Sequence, residues 1–147
     1  MPIVNFHLVE GMTTSDQNER LLVGACRLYA DVLGAPVDRI RAFITTHSPD
    51  QFAAGGDLAC NNGVHAPFFD FIVLEGRPLE HRQRLHVGFT DLIVDVLGVP
   101  RAVVRGGCRR VDPEDWSIGG TLASEARAAE IRARAEAAAQ AAQSKPA

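Results

Sequence analysis

A ten-residue motif occurs twice in this chain, and a duplication on that scale constrains the fold before any single residue is considered. The first copy runs Pro2-Ile3-Val4-Asn5-Phe6-His7-Leu8-Val9-Glu10-Gly11, and the second runs Pro67-Phe68-Phe69-Asp70-Phe71-Ile72-Val73-Leu74-Glu75-Gly76, 65 residues later. Both open on proline and close on Glu-Gly. The correspondence continues at an offset of 64: Leu33-Gly34-Ala35-Pro36 returns as Leu97-Gly98-Val99-Pro100, Arg41 as Arg105, Phe52 as Trp116, and Gly55-Gly56 as Gly119-Gly120. The chain is therefore read as a first unit over 2–58, a linker over 59–66 marked by Asn61-Asn62-Gly63, a second unit over 67–122, and an Ala-rich helical tail over 123–147.

Within each unit the hydrophobic period changes in the same order. Val4, Phe6 and Leu8 alternate as one face of a strand does, and so do Phe69, Phe71 and Val73. Leu21, Ala25, Leu28, Val32 and Leu33 then fall on one face of a helix over 16–33, repeated by Leu85, Phe89, Leu92, Val96 and Leu97. Pro78 suits the first turn of the second helix, and Gly34 and Gly98 suit C-terminal caps. A second strand follows around 40–46 and again around 103–110, where Gly106-Gly107 predicts a bulge or the close approach of another backbone. Each half is a βαβ unit with parallel strands and a right-handed crossover. At about 60 residues, neither half buries enough surface to be secure alone. The expected fold is α+β: two tandem βαβ units forming a four-stranded sheet with two helices on one face. The tail favours helix and spaces Glu130 and Arg134 for an i,i+4 pair, but it has almost no apolar face and no chemistry is expected of it.

Composition narrows the partners. Apolar residues make up 46% of the chain and charged residues 22%, ordinary for a globular domain, and no apolar run approaches a membrane span. No charged-then-apolar leader opens the chain. Cys26, Cys60 and Cys108 form neither a CxxC pair nor an even framework, so reduced thiols and a cytoplasmic location are expected. The five histidines lie at no metal-ligand spacing, so no metal site is read, and His7 is read as structural. A net charge of −3 argues against nucleic acid as a partner.

Pro2 offers the chemistry. An initiator methionine before a small residue is normally removed, which leaves Pro2 with a secondary amine whose pKa starts near ~7.7–8.0. Cations or an apolar pocket around it favour the neutral form, which serves as a general base or an imine-forming nucleophile. The residues around it make the chain resemble the 4-oxalocrotonate tautomerase family, small enzymes with an amino-terminal proline base. The pattern is Pro2-Ile3, His7, Glu10-Gly11, Pro36, Arg41, Phe52 and Gly55-Gly56, then Glu75-Gly76-Arg77, Pro100, Arg105, Trp116 and Gly119-Gly120. The resemblance covers residues 2 to about 122 and implies a fused, two-copy member with the tautomerase β-α-β fold, working as a homotrimer without a cofactor.

The resemblance also assigns roles, and the two copies differ at these positions. The family's arginine after Glu-Gly binds a substrate carboxylate in the paired unit's site; that place holds Arg77 in the second copy and Met12 in the first. The Pro2 site thus receives Arg77, whereas the Pro67 site receives Met12 and has only a tertiary amide in place of an amine. Arg41 and Arg105 match a second arginine supplied by a neighbouring unit, and either is left to complete the Pro2 site; Trp116 matches an aromatic that lines the pocket. The implied reaction is a 1,3 or 1,5 keto–enol proton shift on a small anionic 2-oxo acid, 2-hydroxydienoate or dicarboxylate. Two alternatives stay open. One is a decarboxylase, dehalogenase or hydratase of the same superfamily: Asp38-Arg39 and Asp115 to Gly119 resemble malonate semialdehyde decarboxylases. Leu79 stands where those carry a further arginine, and Ile118 where the others carry an acid. The other alternative is a non-catalytic trimeric binding protein.

Overall fold

The computed structural model describes residues 2–146, so the expected loss of Met1 concerns a residue outside that range. β1 (Ile3–Val9) leads through α1 (Ser15–Leu33) to β2 (Arg41–His47), followed by a hairpin, β3 (Ala53–Ala54) and β4 (Asp57–Leu58). A short helix, α2 (Ala59–Asn62), precedes the second pass: β5 (Phe68–Leu74), α3 (Leu79–Leu97), β6 (Arg105–Val111), and the hairpin β7 (Ser117–Ile118) and β8 (Thr121–Leu122). Two helices end the chain, α4 (Ala123–Ala126) and α5 (Ala128–Gln143).

The four long strands form one sheet in the order β2-β1-β5-β6. β1 and β2 are parallel, β5 and β6 are parallel, and β1 meets β5 antiparallel. The register reveals the symmetry of the duplication. Asn5 and Asp70 are equivalent in the repeat and pair with each other, while Ile3 pairs with Ile72 and His7 with Phe68. A pseudo-twofold axis therefore passes between Asn5 and Asp70.

The helices obey the same axis. Residue 24 of α1 and residue 88 of α3 are glycines, and a Cβ on Gly24 would stand 2.9 Å from Leu92 while one on Gly88 would stand 2.7 Å from Leu28. Each leucine fills the notch opposite, so Leu28 and Leu92 are half-buried between the helices rather than in the sheet-facing core expected of them, and Leu97 is likewise only half-buried. The core positions the periodicity missed are Tyr29 and Ile93, both fully buried and equivalent in the repeat. Tyr29 donates its hydroxyl to the Ile72 carbonyl at 2.7 Å, with the Ile3 carbonyl at 3.3 Å, and so ties α1 to both central strands.

Helix ends follow local chemistry. Thr14 and Gln17 form a capping box at the start of α1, and Gly34 and Gly98 end α1 and α3 in the left-handed conformation, as expected. Pro78 is the residue before α3 rather than part of its first turn. The expectation at Gly106 needs a larger correction. The β5–β6 register runs unbroken from Phe68–Arg105 to Leu74–Val111, and no backbone approaches. The Phe69 ring does: a Cβ on Gly106 would lie 2.1 Å from its tip.

Both helices cover one sheet face, where Val4, Phe6, Leu8, Phe69, Phe71 and Val73 are buried. The opposite face is open within one chain and carries Phe43 at 48% and Phe68 at 39% exposure. His7 lies on that face, hydrogen-bonded to His47 at 2.9 Å and 3.9 Å from Asp70.

Candidate active site

Pro2 immediately precedes β1, and its carbonyl accepts a hydrogen bond from the Arg41 amide at 3.1 Å. Pro67 is held identically by the Arg105 amide at 3.1 Å, so the two prolines occupy equivalent places at opposite ends of the sheet. Pro2 opens into a cavity of about 480 Å³. Its floor is apolar, from Val73 and Leu74 of β5 and from Leu33 to Pro36 after α1. The rest of its lining is Ala133 and five charged residues, Arg39, Arg77, Arg127, Glu130 and Arg134.

The fold brings Arg77 to Pro2 because β1 and β5 are antiparallel. The end of β5 lies beside the start of β1, so the residue three beyond β5 reaches the cavity that Pro2 also lines. Arg77 Nη1 donates to the Leu33 carbonyl at 2.9 Å, which fixes the guanidinium against the C-terminal end of α1. Burial, and after it the charge of Arg134, push its pKa below the ordinary guanidinium value against the opposing influence of Glu130. It remains a cation at any working pH.

The other sequence-derived residues stand apart from this cavity within one chain. Arg41 folds back onto the carbonyls of Asp38 and Ile40, at 2.8 and 3.1 Å. Arg105 does the same with Ala102 and Val104, at 2.6 and 3.0 Å, and borders a different cavity with Phe52 and Phe68. Both arginines open the outermost strands, β2 and β6, at the edges of the sheet. Trp116 sits before β7, with its carbonyl accepting from the Ala123 amide at 2.8 Å, and its indole N–H is buried without a partner among the described residues.

The tail, of which no chemistry was expected, borders the candidate site. α5 lies over the Pro2 cavity, and Arg127, Glu130 and Arg134 line it. The expected Glu130–Arg134 pair does not form. Glu130 instead accepts from Arg39 Nη1 at 3.0 Å, a bond that joins the tail to the segment after α1. Burial would raise the Glu130 carboxyl, but the hydrogen bond and charge of Arg39, with the charges of Arg127 and Arg134, hold it below its ordinary value. A signal for this was available: residues 127, 130 and 134 fall at i, i+3 and i+7, one helical stripe of charge in a tail otherwise dominated by alanine.

Four guanidiniums and one carboxylate thus surround Pro2 on an apolar floor. Such a site attracts a small anion and favours the unprotonated form of an amine within it. The second copy has no equivalent charge set, since Arg77 corresponds to Met12 and Arg39 to Val103.

Known proteins agree with this architecture. A family model described as "Tautomerase enzyme" matches residues 2–59. The 2-hydroxymuconate tautomerase of Pseudomonas sp. (strain CF600) is 36% identical over 59 residues, 40% of this chain and 92% of that protein. The enzyme of the same name from Comamonas testosteroni is also 36% identical over 59 residues, with 94% of its length covered. Each relative is thus about the size of one half of this chain. Among solved structures, native fused 4-OT superposes with a TM-score of 0.77 at 22% identity, covering 82% of this chain and 95% of that one. A fused 4-OT asymmetric trimer gives 0.75 at 23% identity, covering 86% and 98%. At those identities the superpositions speak for the fold, and for the duplicated form of it. With both halves built on one βαβ plan and the curated relatives matched over nearly their whole length, the chain belongs to the tautomerase family, as a fused member of that superfamily.

Proposed function

We propose that the protein is an isomerase that moves a proton between oxygen and carbon of a small 2-hydroxydienoate or 2-oxo acid, with the amine of Pro2 as the base. The neutral nitrogen takes the proton of the 2-hydroxyl, the enol electron pair closes to a ketone, and the proton is returned from nitrogen to a carbon of the conjugated chain. Arg77 holds a carboxylate through its planar fork. Arg41 or Arg105, delivered from a sheet edge of a neighbouring copy, polarises the 2-oxo group where charge develops. Trp116 keeps the assembled pocket apolar. The working form is a trimer, a reading supported by the open sheet face with its exposed Phe43 and Phe68 and by the fused 4-OT structures that are themselves trimers.

The observation that carries this reading is the asymmetry of the duplication. Pro2 and Arg77 share one cavity, while Pro67 has neither an amine nor a matching arginine. One site per chain is therefore active. Pro2→Ala should abolish most turnover of 2-hydroxymuconate without unfolding the protein, Pro67→Ala should leave turnover nearly unchanged, and Met12→Arg should add none. An uncleaved amino-terminal tag should abolish activity. Full activity with the tag in place, or equal losses from the two proline variants, would overturn the proposal. A second reading, decarboxylation of a 3-oxo acid, is favoured by Arg39 on the cavity wall, and malonate semialdehyde belongs in the same assay panel.

A further inference from the structure

The tail contains an arginine without a partner. Arg134 lines the Pro2 cavity one helical turn beyond Glu130, the residue placed to neutralise it, yet Glu130 is bonded to Arg39 from the opposite wall. Among the described residues Arg134 has no ion-pair or hydrogen-bond partner, and its charge acts on another cation of the same cavity, Arg77, as well as on Glu130. Two guanidiniums held near one another on an apolar floor repel, and the arrangement is relieved when an anion lies between or across them. Both Glu130 oxygens accept from Arg39 Nη1, at 3.0 and 3.3 Å, and neither is hydrogen-bonded to Arg134.

We infer that Arg134 is a specificity-determining residue that binds the second, remote carboxylate of a dianionic substrate, so that α5 forms one wall of the active site and selects dicarboxylates over monocarboxylates. The inference rests on the reading of the Pro2 cavity as the substrate site. Arg77 and Arg134 approach that cavity from two different places in the chain, the loop between β5 and α3 and the middle of α5, as a clamp on the two ends of an extended diacid requires. The Arg39–Glu130 bond has a positioning role: it fastens α5 over the cavity and engages Glu130, the one carboxylate among the described residues that line it, with Arg39 rather than Arg134.

The test uses a matched pair of non-reacting probes, trans,trans-muconate and sorbate, which share a six-carbon diene and differ in the second carboxylate. Calorimetry on the intact protein should show muconate bound at least about tenfold more tightly than sorbate. Arg134→Ala should weaken muconate about 10- to 150-fold, the span of one charge-assisted hydrogen bond, and leave sorbate within about twofold. Arg134→Lys should restore part of the difference, because the charge remains without the planar fork. In turnover, Arg134→Ala should raise KM for 2-hydroxymuconate and leave kcat little changed. Equal binding of the two probes by the wild type, or equal weakening of both in Arg134→Ala, would overturn the inference. These binding results do not depend on proton transfer, so they stand or fall separately from Pro2→Ala, which tests the base.

Discussion

Replacing Arg77 by alanine is the most direct probe of how the two halves cooperate. In the structure this side chain makes one hydrogen bond to the fold, from Nη1 to the Leu33 carbonyl at 2.9 Å, and turns the rest of its guanidinium to the cavity. The substitution thus costs the fold one neutral-acceptor bond at a wetted helix end, about 1 kcal/mol, because water can take the place of the donor. It costs the bound transition state a charge-assisted bond to a carboxylate, about 1.5–3 kcal/mol, or roughly 10- to 150-fold in kcat/KM. Turnover of 2-hydroxymuconate followed by absorbance, with thermal melting as the control for folding, separates the two effects. The expected pattern is a large rise in KM, a smaller loss in kcat and a melting temperature within a few degrees of wild type. Arg77→Lys should recover only part of the loss, since an ammonium cannot offer two parallel donors. An Arg77→Ala enzyme with unaltered kcat/KM would refute the assignment and, with it, the idea that the second half completes the first half's site.

Gly106→Ala places a methyl group 2.1 Å from the Phe69 ring, itself 1% exposed, and should lower stability by about 1–3 kcal/mol, or roughly 2–12 °C in melting temperature. Phe69→Leu in that background should recover part of it, and an unchanged melting temperature would refute the contact. His65, His81 and His86 all have pKa values below the ordinary 6.5, burial being the first cause in each, joined at His81 by Arg77 and Arg84 and at His86 by Arg82. The unfolded chain then binds protons more readily than the native one. Stability should be complete above about pH 6.5 and fall as pH drops through that value, and a melting temperature at pH 5.5 equal to that at 7.5 would contradict this. Light scattering should show a trimer of three 15.8 kDa chains that survives removal of the residues after Ala126, whereas a stable micromolar monomer would contradict cover of the open sheet face.

The sequence by itself determined the duplication, and through it most of the fold. Offsets of 64 and 65 residues, the change of period from 2 to 3.6 and the glycines after each helix are local signals, set by backbone sterics and burial on one face. Pro2 and Arg77 could be brought together on paper because a family pattern links them across the repeat. Other decisions belonged to tertiary structure. Tyr29 and Ile93 are core, and Leu28 and Leu92 are knobs, because helices cross where Gly24 and Gly88 let them, a choice that periodicity within one helix cannot express. The vacancy at Gly106 is filled by a ring from the neighbouring strand, which sequence reads only as an absent side chain. The tail reads as solvated helix, since alanine has helical propensity but little apolar bulk. Only the fold shows that Arg39 captures Glu130 from a distance of 91 residues and that Arg134 lines the same cavity as Pro2. Long-range charge pairing depends on where chain segments meet in space, and that meeting is settled by the packed core, not by the spacing of the charges.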